Sequence, residues 1–242
     1  MKNWLIFFVL CIASLIYSQE SDYITDFRNV ITTDNYQVTL SWLNSNSARY
    51  AEYMKGCPKN IVSVAYEEQR YKAMDAAIDY NTGLLSVFIE SCAGGHPSTP
   101  PPIFQCVRNN DFNMVTHLFE RGTPKDITWE IIGRNPENLY SYASTDEMRS
   151  FLVDNGCPTI IPVNDYIFET IDSNINVRSL PGTTSSVLYQ VDSGRIGTIT
   201  KVTARNANVN GNSNRWYYVT FDDMKTGWIF GQFIHVFWLD GM

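Results

Sequence analysis

Between residues 26 and 160 the apolar side chains recur at three- and four-residue intervals, whereas along the last eighty residues they alternate in short runs. The first spacing places side chains on one stripe of an α-helix, and the second places them on one face of a β-strand. In Pro102–Gly122, residues Phe112, Met114, Val115, Leu118 and Phe119 fall on a single helical face. In Trp216–Phe221, alternation turns Tyr217, Val219 and Phe221 to one side and Trp216, Tyr218 and Thr220 to the other. The pattern predicts a multidomain α plus β chain: a helical domain over 19–160, then a small β domain over 161–242. Cys157-Pro-Thr-Ile-Ile-Pro-Val-Asn-Asp165 forms the connector between them.

The helical part is loosely periodic. Gly56, Gly94, Gly122 and Gly156 close similar stretches at spacings of 38, 28 and 34 residues. A glycine can take the left-handed conformation that ends a helix, and a nearby proline stops the helix resuming. Pro102–Gly122 resembles the ankyrin repeat, with Cys106 where that pattern packs a small alanine between its helices. Ala76–Ile89 reads as a second, looser copy and Tyr140–Gly156 as a third with a shortened first helix. Asp34–Gly56, with Leu40, Trp42, Leu43, Tyr50 and Tyr53, reads as an atypical capping unit. The units vary in length and none carries a full Thr-Pro-Leu-His box, so an irregular all-α domain is the other reading of the same residues. The resemblance implies protein binding on a concave surface lined by loop tips such as Tyr80-Asn81 and Asn109-Asn110.

The β part carries a more specific signature: Asn176-Val-Arg-Ser-Leu-Pro-Gly-Thr-Thr-Ser-Ser-Val187, then Gly194, Trp216-Tyr-Tyr-Val219 and Lys225-Thr-Gly-Trp-Ile229. In order and spacing this is similar to a bacterial SH3-like domain, over about 165–236. On that likeness Val177 enters the barrel, Arg178 lies outside, Pro181-Gly182 turns the chain and Gly227 allows a close strand approach. The insert Ala204–Asn214 is expected to be a flexible, Asn-rich loop tip. The resemblance implies a small β-barrel and a non-catalytic module that binds peptidoglycan, its peptides, or a protein. Trp216, Tyr218 and Trp228 either line a shallow groove or pack the barrel wall. Asp222, at the following turn, is a candidate selector of a cationic ligand group.

Composition and charge narrow the function. The 242-residue chain is 44% hydrophobic, which is enough for real cores, and its net charge is −7. A nucleic-acid partner is therefore not expected, because phosphate binding draws on clustered Lys and Arg. Residues 19–162 hold eleven Lys and Arg against eighteen Asp and Glu, an excess suited to a basic protein partner. Lys2 precedes fourteen uncharged residues, Trp4–Tyr17, a run too short to span a bilayer comfortably. It reads as a signal peptide over 1–18, cleaved after Ser18, in a protein exported to the periplasm or secreted; a retained anchor is the other reading. No other segment is apolar over a membrane-spanning length.

Four further cysteines, Cys57, Cys92, Cys106 and Cys157, allow two disulfides or four buried thiols. None stands at C-x-x-C spacing and only His96 lies near one of them, so neither a metal nor any other cofactor is expected. A cysteine–histidine peptidase would draw on Cys92 or Cys106 with His96, His117 or His235. Cys106, however, occupies a packing position, and Glu67-Glu68 and Asp222-Asp223 read as solvated charge. The sequence thus points to an exported, non-catalytic recognition protein of the bacterial envelope, its barrel engaging wall peptide or a protein and its repeats a protein partner. A scaffold or neutralising protein gripping one partner with both domains is the alternative, and a wall hydrolase is a third reading.

Overall fold

Helices dominate the first stretch and strands the last eighty residues, with a short strand pair at 128–138 inside the first. The computed structural model describes residues 22–54, 59–86, 100–129 and 135–238. The expected signal segment lies outside these residues, as do Gly56, Cys57, Cys92, Gly94 and His96. One compact unit ends at Pro124 and a second begins at Lys125.

The first unit is helical: α1 over 22–31, α2 Tyr36–Ser45, α3 Ser47–Tyr53, α4 Ile61–Glu67, α5 Tyr71–Tyr80, α6 Pro102–Arg108 and α7 Phe112–Glu120. Polar side chains start several of them. Asn35, Asn60 and Asp111 accept the backbone N–H of Val38, Val62 and Met114, capping α2, α4 and α7, and Pro102 opens α6 where its missing N–H costs nothing. The expected face of α7 is present, with Met114, Val115 and Leu118 buried and Phe112 and Phe119 half-buried. Leu43, Tyr50 and Tyr53 are buried as well, and the ring of Tyr23 stacks on that of Tyr53 at 4.8 Å.

Two hairpins share one plan. Gln69 between α4 and α5, and Asn110 between α6 and α7, are left-handed at φ 55° and 57°. Arg70 N–H donates to the Ala65 carbonyl (2.8 Å) just as Asp111 N–H donates to that of Cys106 (3.0 Å). Ala65 and Cys106 are therefore equivalent positions, both fully buried. The hairpin here is Ile61–Tyr80, with Ala76 and Ala77 in its second helix, rather than a unit over Ala76–Ile89, of which residues 87–89 lie outside the described ones. A stripe of small apolar residues marks a packed face without saying which helix of a pair carries it. Polar bonds tie successive hairpins: His117 Nε2 lies 2.7 Å from Asp75 Oδ1, the Tyr66 hydroxyl donates to Asp111, and Arg121 pairs with Asp79.

The second unit opens with β1 Thr128–Trp129, β2 Glu137–Asn138, α8 Leu139–Tyr142 and α9 Asp146–Asp154. Its sheet follows: β3 Ile160–Thr170, β4 Ile175–Arg178, β5 Val187–Val191, β6 Ile196–Thr203, β9 Trp216–Phe221, β10 Thr226–Phe230 and β11 Ile234–Trp238. A separate hairpin, β7 Ala207–Val209 with β8 Asn212–Asn214, interrupts the run. The seven strands pair antiparallel in the order β11-β3-β6-β9-β10-β4-β5. Strands at both ends of that order feed one core, Val191 from β5 beside Ile234 from β11, so the sheet rolls round its own apolar face. Register shifts in β3 and β6 supply the bends such a roll needs. Val177 is fully buried in this core, and a Cβ on Gly227 would sit 2.4 Å from its Cγ1, which is why β10 needs glycine there.

The second unit begins well before the boundary expected at residue 160, for an electrostatic reason. The guanidinium of Arg215, which is buried, donates to the Pro136 carbonyl at 2.7 Å. The Tyr217 hydroxyl donates to Asn135 Oδ1 at 2.9 Å, and the Asn138 amide donates to the Pro158 carbonyl at 2.6 Å. Residues 135–158 thus satisfy polar groups at the barrel's edge, and the stretch expected as a third repeat, Tyr140–Gly156, falls in the barrel's unit.

Arg215→Ala leaves the Pro136 carbonyl without its donor and should cost about 1–3 kcal/mol in urea unfolding of the full chain. Unfolding unchanged within about 0.5 kcal/mol would show that this contact does not hold the N-terminal extension in place.

Candidate functional site

The site is built on the outward face of one strand pair. The β9–β10 register sets Trp216 opposite Phe230 and Tyr218 opposite Trp228. Their rings touch across the ladder, with centroids 5.3 Å apart in the first pair and 5.4 Å in the second. The other face of β9 carries Tyr217, Val219 and Phe221 into the barrel core, as strand alternation requires.

These outward rings are not an open groove. Trp216 and Trp228 are each 4% exposed and form, with Phe230, a small second core against which Ile160, Ala207, Val209 and Phe233 pack. The cover comes from the stretch expected to be a flexible tip. Ala204–Asn214 instead contains the paired strands β7 and β8, joined by Asn210-Gly211 with both residues left-handed, at φ 51° and 86°. Two successive positive-φ residues make the tight turn whose twist matches a hairpin, and Asn-Gly is the dipeptide best suited to it. The Asn208 side-chain oxygen accepts the Gly211 N–H at 3.0 Å and fixes the turn.

Beside this hairpin opens a cleft of about 450 Å³. Trp216, Phe230 and Phe233 give its aromatic floor; Asn174, Asn176 and Arg178 stand on one rim, and Asn208, Val209 and Asn210 on the other. The floor is rigid: Phe230 contacts both Trp216 and Phe233, and the 3₁₀ turn Gly231–Phe233 is bonded at both ends. Gly231 N–H donates to the Arg215 carbonyl at 2.8 Å, and the Phe233 carbonyl accepts Ile171 N–H at 3.1 Å. A half-open hollow of this size with a few convergent polar groups is wide enough for a small ligand or a peptide residue.

Of the four expected site residues, the structure brings only Trp216 to the cleft. Trp228 and Tyr218 are wall residues; the Tyr218 hydroxyl donates to Thr226 Oγ1 and Lys201 Nζ lies 5.4 Å from its ring centre. Asp222 is exposed but already paired: Arg195 holds it, while Asp223 is held by Lys225 at 3.0 Å and by Arg195 at 3.4 Å. The hydrogen bond from Arg195 keeps the Asp222 carboxyl below the usual carboxylate range. That charge is met by Arg195 from the β5–β6 connection, and the charged residue lining the cleft is Arg178, a cation. Sequence reasoning passed over Asn208, Val209 and Asn210, although Asn210-Gly211 was a readable hairpin signal.

Among the described residues the thiols and histidines do not gather. Cys106 and Cys157 are free, buried cysteines rather than disulfide partners. Burial pushes the Cys106 thiol up to about 12 and that of Cys157 up to about 11, so neither is a thiolate at neutral pH. His117 is bonded to Asp75, and His235 is exposed and stacks on Phe237. Among the described residues no group of three or more His, Cys, Asp and Glu is placed to hold a metal ion.

Two outcomes follow. In Gly211→Ala the added Cβ has nothing within 4 Å, so the cost is that of the backbone alone, about 1–2 kcal/mol in chemical denaturation; a stabilised variant would exclude the left-handed turn. The Asp222–Arg195 pair contributes stability above the ordinary carboxylate pKa and loses it as pH falls through the depressed folded value. An NMR titration of the Asp222 carboxyl should therefore move to higher pH in Arg195→Gln; an unmoved midpoint would dissolve the pair.

No curated protein and no solved structure gives a significant match to the chain. Residues 173–235, which include every residue lining the cleft, match the family of the bacterial SH3 domain, a binding-type module that is not itself catalytic.

Proposed function

We propose that this is an exported, non-catalytic recognition protein of the bacterial envelope. Its SH3-like domain engages a peptide of the cell wall through the cleft floored by Trp216, Phe230 and Phe233, and its helical unit engages a protein partner. The observation that carries the reading is the cleft itself, a rigid aromatic floor between two amide-bearing rims, lying wholly within the matched domain. The half-buried Phe233 offers a peptide apolar contact at low entropic cost, Trp216 and Phe230 beneath it hold the floor in place, and side-chain amides donate to and accept from a peptide backbone.

Export rests on Lys2 and the apolar run Trp4–Tyr17. Among the described residues no helix is long and apolar enough to cross a membrane. An ankyrin-like role for the helical unit is supported by the two equivalent hairpins, Ile61–Tyr80 and Pro102–Glu120, which share a turn geometry and a buried small side chain. The acidic excess over 19–162 favours a basic partner.

The whole chain should sediment with purified peptidoglycan, and Phe233→Ala, which removes a half-buried floor ring and keeps the backbone bond of that residue, should weaken retention at least tenfold. Chain left in the supernatant would remove the wall from the account. Retention equal in wild type and variant would place wall binding away from the cleft.

A further inference from the structure

The cleft's hydrogen-bonding capacity is lopsided, and this identifies the chemistry of its occupant. The Asn176 side-chain oxygen is already occupied, accepting from Gln190 Nε2 at 3.0 Å. The Asn208 oxygen is occupied too, accepting the Gly211 N–H. Each oxygen thus has one of its two acceptor positions filled, while among the described residues neither NH₂ group has a partner, which tilts both amides toward donation. Arg178 uses one nitrogen, Nη1, on the Ser185 carbonyl at 2.6 Å, which anchors the guanidinium without neutralising it. The remaining guanidinium N–H groups and both amides are donors. The two nearest carboxylates are engaged by backbone N–H groups, Asp172 by that of Ser173 at 2.8 Å and Asp192 by that of Asn174 at 3.4 Å, and neither lines the cleft.

A donor-rich rim with one anchored cation and no lining carboxylate is complementary to an acceptor-rich anion. We infer that the cleft binds a peptide segment bearing a carboxylate, the carboxylate held by Arg178, the peptide carbonyls by Asn176 and Asn208, and the apolar side of the peptide on Trp216, Phe230 and Phe233. The inference rests on the cleft being the ligand site, and it reverses the sign of ligand expected from Asp222. Arg178 serves two ends at once. Its bond to Ser185 fixes the planar guanidinium, so little side-chain freedom is lost when a carboxylate arrives. A guanidinium with two parallel N–H groups meets a carboxylate in a way a lysine ammonium cannot.

The test uses the full chain, ¹⁵N-labelled, with two soluble probes: N-acetyl-Ala-Gly-Ala as the free acid and as its C-terminal carboxamide. The free acid should shift the amide resonances of Asn176, Asn208, Asn210 and Gly211 and bind at least tenfold more tightly than the carboxamide. Its advantage should shrink as salt is raised. Arg178→Lys should abolish most of the preference; because the comparison is made on the ligand, it stands in the wild type even if that variant folds poorly. Equal binding of acid and carboxamide in the cleft would overturn the carboxylate inference and leave the cleft as the ligand site. Shifts mapping elsewhere would overturn both. No shift from either probe would overturn the inference alone, provided that peptidoglycan retention is still lost in Phe233→Ala.

Discussion

The antiparallel pairing of Trp216–Phe221 with Thr226–Phe230 underlies both the packing of the second unit and the floor of its cleft. This one ladder sorts its side chains by alternation into two apolar layers. Tyr217, Val219 and Ile229 fill the barrel, while Trp216, Trp228 and Phe230 must find cover on the outside. A one-residue slip would exchange the layers, placing indole rings in a barrel shaped for valine and phenylalanine. Both faces of the pair are committed, which leaves little freedom in register. The cleft inherits that order: its floor is the edge of a layer that is otherwise covered, with Phe233 the most exposed of its rings.

The short β7–β8 hairpin shows how the cover is made and why it stops. It packs Ala207 and Val209 against the outer rings, which makes it a lid on a second core and also a wall of the cleft. Both roles depend on the left-handed pair Asn210-Gly211, because a looser loop would neither bury the indoles nor hold the rim amides at fixed positions. In the first unit the division of labour differs. Apolar faces stack the hairpins, while polar pairs such as His117 with Asp75 set one against the next.

Much of this was legible in the sequence, and the failures have physical causes. Alternation assigned the faces of β9 correctly, and the Asn-Val-Arg-Ser motif with Gly227-Trp228 marked the domain matched over 173–235. Alternation tells which way a side chain points but not what lies over it, so Trp228 read equally well as groove or wall. The floor residue Phe233 sits in a 3₁₀ turn, where neither the helical nor the strand period applies. Asp222 carries a charge visible in sequence, but its neutralisation by Arg195 joins residues 27 positions apart. The hairpin Ile61–Tyr80 reads one helix late in sequence because α5 alone carries the alanine-rich stripe, and the left-handed turn at Gln69 has no strong residue signature.

Arg215 carries a consequence for how such a domain travels between proteins. Its buried guanidinium is answered by a carbonyl at Pro136, far outside the segment that the family signature covers. A gene rearrangement that moved only the signature segment would carry the cation and leave its acceptor behind. A fragment cut at the bounds of the signature would have to open and hydrate that cation or bury it unanswered, so the self-sufficient piece is longer than the motif that identifies it.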